Sequence, residues 1–200
     1  MASEDLLLHL SRAAGLGAYL VLWLDMCFGV ALTGWFRVPF APRWRVADLH
    51  QFTGTLGLGL LGMHVAVLVG LQQQPFSIPD MLVPFARQIN PIPPLLGISA
   101  VYVMLLVVAI SRARRRVGAR IWRAVHLLSF AGFALSLVHA RLAGPDSTAG
   151  WLRAMYVGTV VILACLTIGR VVRVANRQRV SEPATQRWQA DRLPSVRDGR

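Results

Sequence analysis

Apolar residues run through the chain in five long stretches, at 15–35, 49–70, 94–110, 122–142 and 151–169, and polar residues collect between them. A helix rises about 1.5 Å per residue and needs about 20 apolar residues to cross a bilayer, so each stretch reads as a spanning helix, the third near the lower length limit. The pattern predicts an all-α fold, an integral membrane helical bundle of about five transmembrane helices. Residues 1–14 contain Glu4 and Asp5 and lack a basic region with a cleavable end, so no removed signal peptide is expected. Leu6, Leu7, Leu8 and Leu10 predict an interfacial helix ahead of the first span. Three parts follow: an N-terminal interfacial segment at 1–14, a transmembrane domain at 15–172 and a basic tail at 173–200. The end of that tail, 181–200, is rich in Arg, Gln, Pro and Ser and reads as disordered.

Composition agrees with a membrane protein. Hydrophobic residues make up 55% of the chain, charged residues only 15%, and the mean hydropathy is +0.53, too apolar for one soluble core. The net charge of +12 would suit nucleic acid, but its distribution argues otherwise. All 21 basic residues are Arg. Arg37, Arg43 and Arg45 lie in the first connection; Arg112, Arg114, Arg115, Arg116, Arg120 and Arg123 lie in the third; eight more follow from Arg170 onward. The opposite side receives only Arg12, Arg87, Arg141 and Arg153. Basic residues concentrate on the cytoplasmic side, so this asymmetry predicts a multi-pass protein of the cell membrane with its N-terminus outside and its C-terminus in the cytoplasm. The RARRR run then serves orientation and contact with anionic lipid, and no nucleic-acid partner is expected. Cys27 and Cys165 fall inside spans, where a thiol packs as a small hydrophobe. The sequence holds no GxGxxG, P-loop, HExxH or GxSxG, leaving nucleotide binding and hydrolysis without support.

Four of the five histidines change the picture. His50 and His64 are fourteen residues apart in the second stretch, and His126 and His139 are thirteen apart in the fourth. Ionisable rings in hydrocarbon are costly and mark interior sites, so four at matched depths read as ligands. Each pair separates its rings by roughly 20 Å along its helix, and the second and fourth spans run in the same direction. His50 therefore pairs with His126 near one membrane face, and His64 with His139 near the other. Bis-imidazole clamps hold haem iron, and the absence of CxxCH makes such haems b-type. His9 lies outside the spans and reads as a surface residue.

The surroundings sharpen the reading unevenly. At about 100° per residue, positions 50, 54, 57, 61 and 64 share one face of the second span. Gly54 and Gly57 on that face would let a flat macrocycle approach, although small residues also serve helix–helix packing. The thirteen-residue interval turns His139 about 140° from His126, so the helix must tighten, bulge near Gly132 and Ser136, or use different rotamers. Arg45, Arg123 and Arg141 stand near the span ends, placed to meet haem propionates or to snorkel to the interface. Asp25 sits mid-span, where a bare carboxylate is expensive; it reads as an intramembrane polar site, either a proton partner for quinone chemistry or a hydrogen bond to a neighbouring helix. The Pro-rich segment 72–94 has the length of a lid over the outer site.

The segments DLHQFTGTLGLGLLGMH and WRAVHLLSFAGFALSLVH, with spacings of fourteen and thirteen in that order, resemble the ferric reductase-like transmembrane family over about residues 15–169. That family includes ferric reductases, NADPH oxidase membrane domains and the haem subunits of bacterial periplasmic methionine sulfoxide reductases. The resemblance implies that His50, His64, His126 and His139 ligate two stacked b haems that carry electrons across the membrane, and it accommodates the thirteen-residue interval. It implies the membrane haem subunit of an oxidoreductase, with a cytoplasmic flavoprotein or quinol as donor and a ferric chelate, dioxygen or an oxidised partner outside as acceptor. The sequence departs from the full-length reductases in showing five spans rather than six and no flavin or NAD(P)H domain. Two other classes stand beside it: a haem-free transporter or metal relay, against which the scarcity of acidic and sulfur ligands counts, and a haem-binding sensor or assembly subunit.

Overall fold

The computed structural model describes residues 2–33, 42–70, 79, 82–85, 90–144 and 148–192, with side chains described from 5 to 176. Among these residues there are five long α-helices and no strand: α1 Ala2–Leu32, α2 Arg43–Gly70, α3 Ile92–Arg112, α4 Arg114–Ala143 and α5 Gly150–Arg192. Each contains a segment long and apolar enough to cross a membrane. The expected lid at 72–94 and the residues Arg37 and Arg87 fall largely or wholly outside the described residues.

Three helix boundaries differ from the sequence expectation. α1 begins at Ala2, so residues 2–14 are continuous with the first span. No glycine or proline interrupts residues 2–14, and their Leu, Ala, Glu and Arg favour helix. The arginine-rich third connection is itself helical: only Ala113 separates α3 from α4, and the chain redirects at Gly118, where φ is +80°. A side chain there would be strained, which is why glycine occupies the bend. α5 continues to Arg192, well past the end of the fifth apolar stretch, with no glycine or proline from 171 to 182.

Two antiparallel hairpins form the body of the bundle. α1 packs along α2 and α3 along α4, while α1 also meets α4 and α5. Close approach within each hairpin depends on small residues: a Cβ at Gly57 would come within 3.0 Å of Leu22, and one at Gly132 within 3.1 Å of Met104. Without a hydrophobic driving force between helices in lipid, such van der Waals contact and buried hydrogen bonds hold the bundle. Tyr19 supplies both between α1, α4 and α5. Its ring stacks on Phe133 at 5.4 Å and meets Tyr156 edge-on, while its hydroxyl donates to Thr159 Oγ1 at 2.6 Å. Trp23 donates to the Thr159 carbonyl at 3.0 Å. Outward-facing Leu24, Phe52, Leu56, Leu105, Leu127 and Val161 are exposed, as a lipid-facing surface requires.

α2 and α4 make almost no backbone contact with each other. They run in the same direction with a gap between them, and histidine rings meet across it.

Gly57 generates a direct test of the hairpin packing. Gly57→Val is expected to lower stability by about 1–3 kcal/mol through overpacking against Leu22, whereas Gly59→Val, which meets nothing within 4 Å, is neutral. Thermal unfolding in detergent, followed by size-exclusion profile, measures the difference.

Candidate functional site

Across the gap, the structure brings His50 to His126 and His64 to His139. The ring centroids are 6.0 Å apart in the first pair and 6.5 Å in the second, with planes inclined at 88° and 72°. A coordinating imidazole nitrogen lies about 2 Å from a transition metal and about 1 Å from its own ring centre, so two imidazoles sharing one ion stand about 6 Å apart. Both pairs have that spacing. Along α2, the two pairs are separated by roughly 21 Å of helix rise.

Hydrogen bonds decide which nitrogen faces the gap. His64 Nδ1 lies 2.8 Å from the Ser11 carbonyl, His139 Nδ1 lies 2.7 Å from the Pro93 carbonyl, and His50 Nδ1 lies 3.1 Å from the Asp25 carbonyl. A carbonyl only accepts, so each Nδ1 carries the proton and each Nε2 keeps its lone pair. This is the arrangement of a metal-ligating histidine, oriented through its second nitrogen. His126 Nδ1 has a looser partner, Ser111 Oγ at 3.5 Å, and its ring stacks on Trp122 at 5.2 Å. Arg114 lies over the other ring system of that stack, 4.3 Å from the Trp122 centroid.

Glycines on the facing helices make room for the rings. A Cβ at Gly15 would come within 2.9 Å of His64 Nδ1, one at Gly97 within 2.8 Å of His139 Cε1, and one at Gly29 within 3.3 Å of His50 Cε1. Gly15 and Gly29 are fourteen residues apart, the interval of His50 and His64 on the antiparallel helix. That match is a signal the sequence carries, but it becomes legible only once α1 is known to lie against α2. The thirteen-residue interval on α4 is spanned by regular helix, since the non-helical residue is Gly118, upstream of both histidines. Rotamers and helix crossing therefore absorb the 140° offset, without a bulge at Gly132 or Ser136.

The remaining sequence candidates divide. Asp25 joins the site: its Oδ1 lies 2.8 Å from His50 Nδ1 and accepts from Thr53 Oγ1 at 2.8 Å. Gly54 and Gly57 face α1 instead of the gap, with Asp25 and Leu22 as their nearest neighbours, so helix packing accounts for them. Arg45, Arg123 and Arg141 are exposed; Arg45 lies over the Trp44 ring at 5.0 Å and Arg141 over Tyr156 at 6.0 Å. His9 is exposed. Sequence reasoning missed Ser11, Gly15, Gly29, Pro93, Gly97, Ser111 and Trp122.

Among the described residues no cluster of three or more His, Cys, Asp or Glu side chains could hold an ion. Each site thus offers two protein nitrogens, a donor set suited to a planar group that brings its own equatorial ligands.

The family model "Ferric reductase like transmembrane component" matches residues 14–137, and the chain belongs to that family. It is a multi-pass membrane protein of a class associated with electron transfer across membranes. No curated protein and no solved structure matches the chain.

Proposed function

We propose that this protein conducts electrons across the membrane through two b-type haems, one held by His50 and His126 and the other by His64 and His139. The observation that carries the proposal is the pairing of four imidazoles at bis-ligated spacing, three with Nδ1 fixed on a backbone carbonyl. A bound haem supplies a one-electron carrier at its iron. The chain supplies the rest: His50, His126, His64 and His139 would hold the groups through Nε2, Ser11, Asp25 and Pro93 hold the rings, and the apolar helices exclude water. Membership of the ferric reductase-like family supports transmembrane electron transfer as the role.

The arginine asymmetry supports an orientation in which the His50/His126 end faces the cytoplasm. Electrons then enter at that end from a cytoplasmic flavoprotein or a membrane quinol and leave from the His64/His139 end to an external acceptor. Arg45 and Arg123, near the entry end, and Arg141, near the exit, are suited to meet propionates.

Ligand pairing is the decisive test. Pyridine haemochrome assay of purified protein is expected to give two b haems per chain, and a value near zero under haem-sufficient expression would refute the reading. His50→Ala and His126→Ala should yield matching redox-titration curves with one haem lost, and His64→Ala and His139→Ala should share a second, different curve. Grouping of His50 with His64 instead would show that the clamps do not cross between α2 and α4.

Orientation has its own measurement. After Cys27 and Cys165 are replaced, a cysteine at Arg114 is expected to react with a membrane-impermeant maleimide only once the cytoplasmic side is opened, and one at Arg153 in intact cells. Reversed labelling would invert the direction of electron flow.

A further inference from the structure

The four imidazoles differ in what their Nδ1 protons meet. His64 and His139 donate to neutral carbonyls, and His126 lies near a serine hydroxyl. Among the described residues, His50 alone of the four has a carboxylate oxygen within hydrogen-bond distance, Asp25 Oδ1 at 2.8 Å, closer than the Asp25 carbonyl at 3.1 Å. The contact is built from both helices. On α2, the Thr53 hydroxyl lies 2.8 Å from the same Oδ1, and Gly54 lies beside the carboxylate, where a Cβ would meet each of its oxygens at an ordinary contact distance of 3.5 Å. On α1, Gly29 lets the His50 ring lie against the helix one turn beyond Asp25. The His50 and Asp25 side chains are only 22% and 18% exposed.

We propose that Asp25 is a positioning residue that lowers the reduction potential of the His50/His126 site below that of the His64/His139 site. The inference rests on the bis-haem reading above. A carboxylate that accepts the Nδ1 proton makes the imidazole a stronger donor through Nε2, and a stronger axial donor favours ferric over ferrous iron. The effect acts on one site and in one direction. With both groups bound, the asymmetry would make transfer of one electron from the His50/His126 site to the His64/His139 site downhill, the first oxidised, the second reduced and no proton moved. The electron is restored to the first site by the flavin or quinol donor.

Spectroelectrochemical titration of the purified, haem-loaded full chain tests this. In Asp25→Asn the lower of the two midpoints is expected to rise by about 59 mV, a tenfold shift in the ferrous-to-ferric ratio at fixed poise, while the upper midpoint stays in place. Asp25→Glu is expected to restore part of the difference, which a merely structural hydrogen bond replaced by asparagine would not require. Thr53→Val, which removes the hydroxyl orienting Oδ1, should move the same midpoint upward by less, and it carries the test if Asp25→Asn does not assemble. The affected midpoint must be the one that disappears in His50→Ala. Two haems whose midpoints ignore both substitutions, or a shift confined to the site lost in His64→Ala, would overturn the role of Asp25 and leave the bis-haem reading standing. A preparation without haem overturns both.

Discussion

In a hydrocarbon medium a polar ring nitrogen has no water to fall back on, and that constraint organises this bundle. Each of the four histidines carries two nitrogens into the span region, and one of them is answered by the neighbouring helix: α1 at Ser11 and Asp25, α3 at Pro93 and Ser111. Leaving such groups unanswered costs several kcal/mol each by order of magnitude, comparable to the whole margin by which a fold is stable. The partners of the first nitrogen therefore fix where the second points. Each ring held in this way stands with its centroid 6.0 or 6.5 Å from that of the histidine on the other hairpin.

The same constraint explains the division of labour among the helices. α2 and α4 carry the histidines, while α1 and α3 lie behind them and hold the rings. Because the supporting atoms are mostly backbone carbonyls, the supporting helix must come close, and closeness is supplied by glycine at 15, 29 and 97. Tyr19, Trp23 and Thr159 then tie α1 to α5, and Tyr19 stacked on Phe133 ties it to α4. α1 thus fixes the first hairpin to the rest of the bundle through the helix that also holds His50 and His64. A displacement of α1 would be felt at both sites together.

The spans and the histidine pairs were legible in the sequence because both depend on local properties: run length, and intervals along a single helix. The cross-helix pairing needed only the further rule that alternate spans run the same way. What escaped was everything set by a contact between distant segments. Ser11 and Pro93 act through backbone carbonyls, which any residue type possesses, so no side-chain pattern marks them. Gly54 and Gly57 share the histidine face by angle, yet α1 covers them, and a helical wheel does not say which neighbour covers which sector. Asp25 was visible as a mid-span carboxylate, but its partner lies on another helix, 25 residues away in sequence. The start of α1 and the end of α5 lie beyond the apolar stretches because composition marks where a chain enters lipid, and a helix has no reason to stop at that plane.

Two protein nitrogens per site also bear on the rival classes. A zinc or copper centre built by a protein alone takes three or four side-chain ligands at tetrahedral or trigonal positions. Here the ligands of each pair face one another across a gap between helices that do not pack, and the next histidine pair is roughly 21 Å away along α2. A cation held by two opposed imidazoles without equatorial ligands would be under-coordinated in a medium that offers few others. A transport path would need donors at intermediate depth between the pairs, and on α2 and α4 that interval is Leu, Gly, Ala, Phe, Val, Ser and Thr, with Gln51 beside His50 and Met63 beside His64. Both features support the proposed reading, in which a flat group completes the coordination itself and electrons cross an apolar layer that ions cannot.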